Sequence, residues 1–354
     1  MAKVKTAMFK AAMSGLYHSG ATRLLSPYTQ GSGLIFMLHQ VRPARDLAQD
    51  EAFNPNRILQ ITPEFFEAVL DQIEEAGLDI VTLDEAVDRL KQGDDRRFAC
   101  LTFDDGYRDN FEYAYPILKR RKLPATIYIP TDYPSGRGEL WWLALEDVIA
   151  KASEIELCRD GGLWRLPAGT VPEKWKAFEQ IYAWLRAIDQ ITQRQVVRAL
   201  SERHGVDMEA MCRDLIMDWE EIRQLASDPL ITIGGHTKGH YALAKLSAEQ
   251  AREEMKGGAD CLEEKLGIRP EHFAYPYGDE TSAGPREFHI AKTLGFKTAV
   301  TTRKGMLFPA HRDHLTALPR VSLNGDYQSL TYTGLYLSGA PFALYNRFRE
   351  VNAA

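Results

Sequence analysis

The chain has 354 residues, 45% of them hydrophobic and 26% charged, which excludes a disordered or fibrous protein and supports a large folded core. A formal net charge of −6 carries no basic footprint for nucleic acid. The four cysteines (Cys100, Cys158, Cys212, Cys261) are far apart with no CxxC pair, which argues against disulfides or a zinc–thiolate site.

Residues 4–25 read as a helix with a broad apolar face. Lys3 and Lys5 precede Ala7, Met8 and Phe9, but Lys10 interrupts the apolar stretch and no small-residue cleavage site follows, so an export signal is not expected. No run reaches the ~18 apolar residues of a membrane span. The helix is expected to pack on the domain of a cytoplasmic protein; a membrane surface is the alternative contact for a basic amphipathic helix.

After a hinge at Gly31-Ser32-Gly33, Leu34–Leu38 is a nearly continuous apolar run ending at His39, as in a strand buried on both faces. Residues 44–60 read as a loop. Thr62 then caps a helix with Pro63 at its first position and apolar Phe65, Phe66, Val69, Leu70 and Ile73. A short strand at Ile80-Val81 and a helix from Leu83 to Leu90 follow. Phe98–Phe103 is a second buried strand, and it delivers Asp104-Asp105-Gly106-Tyr107. Adjacent acids repel, and burial raises the cost of ionising both, so a cation, a proton or solvent must relieve them. A solvated Asp-Asp-Gly turn is the alternative. Asn110–Arg121 reads as helical with an interruption at Tyr115-Pro116, and Ala125–Ile129 as a strand. This alternation predicts a parallel sheet with covering helices.

Residues 134–228 break the rhythm and hold all six tryptophans. Helical periods over 145–152 and 175–188 and a hairpin over 155–166 predict a mostly helical insertion. Its aromatics are expected in a core, with a sugar-lining role as the alternative for one or two. The rhythm returns with a strand at Ile231–Gly234, a helix from Ser247 to Leu266, a strand at His272–Tyr275 and a helix from Glu287 to Leu294. Strands at Thr298–Thr301 and Leu318–Leu323 close the series, the last with Arg320 inside it. The tail after about residue 330 carries no signal.

Three strand ends thus carry unusual polar groups: Asp104/Asp105, His236/His240, and Tyr277 after Pro276. In parallel α/β folds, sites form at the C-terminal ends of strands. His236 and His240 are four apart, which puts both rings on one side of a helical turn. Two histidines and a carboxylate suit Zn2+ or another divalent metal with open positions. Fe(II) oxygen chemistry is the less favoured use of such a set, because a second acid beside a ligand is what a hydrolase needs.

Thr102-Phe103-Asp104-Asp105-Gly106 resembles the first signature of the polysaccharide deacetylases, carbohydrate esterase family four with its NodB homology domain. Gly235-His236-Thr237-Lys238-Gly239-His240 resembles the second, an H-[ST]-x-x-H, and Phe273–Gly278 the third. The resemblance implies a distorted (β/α)7-type barrel over 34–133 and 228–325. An N-terminal helical segment over 1–33, an inserted subdomain over 134–227 and a tail over 326–354 lie outside it. It further implies one divalent metal, with Zn2+ expected, held by Asp105, His236 and His240. Asp104 is implied as the catalytic base. The backbone N–H of Tyr277 is implied at the oxyanion, with Tyr107 and Pro276 beside it as substrate-binding residues.

Two departures from the family pattern stand out. There is no convincing late Leu-x-His motif, since His311 and His314 lie in a polar stretch. The strand ending at His39 resembles the N-terminally permuted form of the poly-N-acetylglucosamine deacetylases, so His39 is the expected general acid. Ala274 stands where the third motif usually has an arginine, and Arg320 is the candidate replacement, against a reading as a surface arginine. Asp218-Trp219 looks like the motif of the acid's aspartate partner but precedes the second signature, so it is not assigned. The expected function is metal-dependent removal of an acetyl group from an N-acetylated sugar of a polysaccharide, oligosaccharide or glycan precursor. O-deacetylation, hydrolysis of a non-sugar amide, and non-catalytic glycan binding are the alternatives. A carbohydrate is the one partner implied, with no nucleic acid and no obligate protein.

Overall fold

A computed structural model describes residues 13, 15–44, 52–159 and 161–353. Twelve strands are present among them: β1 (Gly33–Leu38), β2 (Gln40–Val41), β3 (Gln60–Ile61), β4 (Asp79–Ile80), β5 (Phe98–Phe103), β6 (Ala125–Ile129), β7 (Glu154–Arg159), β8 (Gly162–Pro167), β9 (Ile231–Gly235), β10 (His272–Ala274), β11 (Thr298–Lys304) and β12 (Leu318–Ser322). Seven of them close a parallel barrel in the order β1-β5-β6-β9-β10-β11-β12 and back to β1; β4 pairs with the start of β5 outside the ring. The β1–β5 register runs from Gly33↔Phe98 to Leu38↔Phe103. The fold is thus the expected distorted (β/α)7 barrel.

The apolar runs explain the closure. Every residue of β1, β5 and β6 is buried, as a strand covered on both faces requires. Alternate side chains divide between two clusters. Ile35, Phe98, Cys100, Tyr128, Ala274, Val300 and Leu318 belong to one. Leu34, Phe36, Leu38, Leu101 and Phe103 belong to the other, with Phe66, Val69, Leu70 and Ile73 of the helix Pro63–Glu75. Thr62 caps that helix, its Oγ1 accepting from Phe65 N at 3.2 Å. On β9, Gly234 is needed because a Cβ there would collide with the Tyr128 ring.

Three expectations are corrected. The helix expected over 4–25 falls partly outside the described residues; within them it is broken at Gly20 (φ 70°), and a separate helix runs Ala21–Thr29. Glycine adopts this left-handed backbone without steric cost, so the chain turns there. The helix docks on the tail, where Thr29 Oγ1 donates to Ser338 O at 2.7 Å. The interruption expected at Tyr115-Pro116 is a change of helix type rather than a break: a π-turn over Asn110–Ala114 ends there and the helix Tyr115–Arg121 begins, with Pro116 in its first turn. The tail forms two helices, Leu330–Ser338 and Ala340–Tyr345, whose Leu335, Tyr336, Leu337 and Phe342 pack into the barrel's outer core. No helix among the described residues is long and apolar enough to cross a membrane.

Between β6 and β9 lie the β7–β8 hairpin and five helices: Trp141–Lys151, Val171–Ala187, Gln190–Arg203, Met208–Leu215 and Trp219–Ala226. The hairpin and the first four helices share a core that includes Trp141, Leu145, Val148, Ile149, Ile181, Leu185 and Val197, which Phe53, Tyr107 and Tyr133 join from the barrel side; Ile222 and Leu225 of the fifth pack into the barrel's outer core instead.

Candidate active site

β5 ends in two acids with different surroundings. Asp104 continues the strand, its N–H donating to Leu38 O at 2.9 Å. Asp105 (φ 73°) and Gly106 (φ 70°) then turn the chain sharply. For an aspartate this backbone costs of order 1–3 kcal/mol, so the fold must hold it there. Asp104 is buried and bidentate with Arg320 of β12: Nη1 donates to Oδ1 at 2.7 Å and Nη2 to Oδ2 at 2.6 Å. Arg320 also donates from Nε to Thr301 O at 2.9 Å and from Nη1 to Thr102 Oγ1 at 3.1 Å. Burial by itself would raise the Asp104 pKa; the Arg320 charge and hydrogen bonds outweigh it and hold the carboxyl below its ordinary value. Ala274 lies among the buried apolar side chains of the barrel interior. Arg320 is therefore not a surface arginine.

The second acid faces the histidines. His236 follows β9, and its Nδ1 is 2.7 Å from Ala274 O, which fixes that nitrogen as the donor. Its Nε2 is left 3.4 Å from Asp105 Oδ1, and His240 Nε2 lies 3.1 Å from the same oxygen. The loop is not the helical turn expected from the four-residue spacing. Thr237 (φ 67°) and His240 (φ 58°) are left-handed, and Thr237 Oγ1 accepts from His240 N at 2.9 Å. The two rings still meet, with centroids 4.9 Å apart. One ligand atom from each of Asp105, His236 and His240 lies within 4.8 Å of the others, and all three residues are buried.

This donor set fits a divalent cation. Asp105 Oδ1 and His240 Nδ1 have no hydrogen-bond partner among the described residues. Burial drives the His240 imidazole down to about 4, against the pull of the Asp105 carboxylate. Burial alone would raise the Asp105 carboxyl; its place against the His240 and His236 imidazoles outweighs that and leaves it well below its ordinary value. A neutral imidazole lone pair facing a carboxylate oxygen is repulsive until a cation lies between them.

Tyr277 closes the site on another side. Gly278 N donates to Pro276 O at 2.7 Å, a γ-turn with Tyr277 at φ 61°, the rare and strained form. Thr302 Oγ1 donates to Tyr277 O at 2.6 Å. The Tyr277 ring lies 4.9 Å from His240, its hydroxyl accepts from Trp141 Nε1 at 2.7 Å, and the Arg186 guanidinium sits 3.9 Å from its face. Trp142 stands 5.2 Å from the His240 ring. Tyr107 is fully buried, its hydroxyl 3.3 Å from Trp142 Nε1, so it meets the site through Trp142. His39 follows β1 and is partly exposed, next in the chain to Leu38, whose carbonyl accepts from Asp104 N. The His39 carbonyl accepts from Asn110 Nδ2 at 2.7 Å. The same Nδ2 donates to Asp109 Oδ1 at 2.9 Å, a carboxyl that burial pushes up to about 7.

Other candidates are used elsewhere. His311 is bound between Phe308 N and Val351 O. Asp218 caps the helix Trp219–Ala226 in a capping box with Glu221. Sequence reasoning did not single out Glu254, whose Oε2 accepts from Lys238 N at 3.1 Å and Gly239 N at 2.9 Å and so supports the histidine loop. No local pattern marks it. Trp141 and Trp142 carried only the weak signal of tryptophan clustering.

A family profile described as polysaccharide deacetylase matches residues 91–299, a span that includes Asp104, Asp105, His236, His240 and Tyr277 but neither His39 nor Arg320. The Bacillus subtilis protein YxkH is 37% identical over 73 residues, 20% of this chain, and the match spans about a quarter (26%) of that relative's length. Among solved structures, the Streptococcus pyogenes deacetylase PplD, in complex with acetate, is 18% identical (83% of this chain, 92% of that one, TM-score 0.53). IcaB from Ammonifex degensii is 20% identical (87% of this chain, 97% of that one, TM-score 0.52). At these identities the likeness is one of fold.

Proposed function

This chain belongs to the polysaccharide deacetylase family, whose members hydrolyse N-acetyl amide bonds, and on that premise we propose that it removes acetyl groups from an N-acetylated glycan at a metal site built by Asp105, His236 and His240. When bound, a divalent cation, Zn2+ by its preference for histidine and carboxylate, supplies Lewis acidity that polarises an acetyl carbonyl and lowers the pKa of water. Asp104 accepts the proton of the attacking water. Arg320 keeps that carboxylate ionised and aimed. The Tyr277 N–H donates to the oxyanion, with Pro276 fixing the turn that presents it. His39 donates a proton to the departing nitrogen, because an amide anion is too poor a leaving group to depart unprotonated. Trp142 and the Tyr277 ring form an apolar wall for the sugar, and Tyr107 holds Trp142 in place.

One observation carries this reading. The two adjacent acids have separate partners, a guanidinium for Asp104 and two imidazoles for Asp105, so that one is left as base beside a cation held by the other. The test is acetate release from N-acetylglucosamine oligomers and from O-acetylated sugars by the zinc-loaded protein. Release from the N-acetyl panel, abolished by a chelator and restored by Zn2+, supports it. Release from O-acetyl substrates alone makes it an O-deacetylase, and release from neither overturns the catalytic reading.

The acid role is separable from the rest. His39→Ala is expected to lower turnover of an amide substrate about 10²-fold or more. An ester with a phenol leaving group departs without protonation and should lose much less. Equal losses on both substrates would remove the assignment.

A further inference from the structure

The two histidines of the metal loop are anchored differently. His236 donates from Nδ1 to Ala274 O, the usual device that orients a ligating imidazole. His240 Nδ1 has no hydrogen-bond partner among the described residues. His240 also carries a left-handed backbone (φ 58°) that the fold must hold in place. Its position therefore depends on what grips the loop's main chain.

That grip comes from the helix Gln190–Arg203, far from the loop in sequence. Arg194, with only 2% of its side chain exposed, donates from Nη2 to Gly239 O at 3.0 Å and to His240 O at 3.3 Å. Its Nη1 donates to Glu139 O at 2.7 Å, and Glu139 Oε2, 3.5 Å away, balances its charge. One turn earlier on the same face, Gln190 Oε1 accepts from Ala242 N at 2.9 Å. The helix thus holds main-chain groups before, at and after His240. The rest of the loop is held from the barrel, by Thr131 N on Thr237 O, Asp132 N on Lys238 O, and Glu254.

We propose that Arg194 is a positioning residue for the metal site: its guanidinium fixes His240 through the loop's main chain, as the Ala274 carbonyl fixes His236 through its ring. This rests on the metal reading above. It gives the segment between β6 and β9 a task in metal binding beyond walling the site.

The test is zinc affinity by competition with a chromophoric chelator, on the unmutated chain, R194M and R194K, with apo-protein melting and Co2+ absorption spectra alongside. R194M is expected to bind zinc about 10–100-fold more weakly, the usual effect of losing a group that orients a ligand, with altered Co2+ bands. R194K keeps the charge beside Glu139, but a single ammonium lacks the planar fork that reaches Glu139 O from one nitrogen and Gly239 O and His240 O from another; it should fall between, and it serves if R194M does not fold. A variant that melts lower as apo-protein yet binds zinc as tightly as the unmutated chain has lost only structure, and this overturns the proposal. Failure of the unmutated chain to bind zinc removes the metal reading and the proposal with it.

Discussion

Asp104→Asn is expected to lower kcat about 10²–10⁴-fold, the usual share of a general base, while zinc affinity stays close to that of the unmutated chain. The proposed ligand atoms belong to Asp105, His236 and His240, and none of them is altered. Asparagine is near-isosteric with aspartate, so one Arg320 donor keeps an oxygen acceptor, and the loss falls on proton transfer. The measurement is kcat at saturating metal on an N-acetyl oligosaccharide, beside a zinc titration. A variant with full turnover would show that Asp104 accepts no proton in the slow step. A variant that no longer binds zinc would move Asp104 into the ligand set. Retained glycan binding with no turnover is also what separates this catalyst from a pure binder, which would keep its affinity and have no rate to lose.

Arg320→Met should have a comparable effect by another route, together with a loss of stability. The guanidinium and the Asp104 carboxylate are both buried, and removing one partner leaves an unpaired charge, at a cost of about 3–5 kcal/mol. In the unmutated chain the Asp104 pKa lies below its unfolded value, through Arg320 against the opposing effect of burial. The stability from the pair is therefore complete above the unfolded carboxylate range and is lost as pH falls through the folded pKa. In the variant, burial acts with little opposition and raises the carboxyl instead. Urea unfolding should then show the largest gap between the two proteins near neutral pH and a shrinking gap on acidification. The acid limb of the rate profile should move to higher pH, because a base with a raised pKa is protonated sooner. An Arg320→Met variant with an unchanged acid limb and unchanged stability would mean that another group holds Asp104 ionised.

Most of the barrel was legible because its strands are continuous apolar runs and its helices carry 3.6-residue apolar faces, both local features of composition. The misreadings came where local pattern and packing part. An apolar helix over 4–25 looked unbroken until Gly20 was seen to be left-handed, and a proline looked like a break until it was seen in a first turn. The tail carried no pattern of its own because its Leu335, Tyr336 and Phe342 are specified by the barrel surface they cover.

The candidate site divides in the same way. Asp104, Asp105, His236, His240 and Tyr277 stand in short contiguous motifs at strand ends, so the sequence alone marked them. Which acid faces the histidines and which faces a guanidinium was decided by the closure of the barrel, because β12 returns beside β1 and carries Arg320 to a carboxylate 216 positions away. The resemblance had offered Arg320 as a candidate, whereas the supporting contacts of Glu254, Trp142 and Arg194 were out of reach, since each comes from an element whose approach to the loop is set by tertiary packing. A strand or helix repeats its side-chain directions along the chain and can be read locally; a contact across a closed sheet depends on the register of every strand between, which no single stretch of sequence contains.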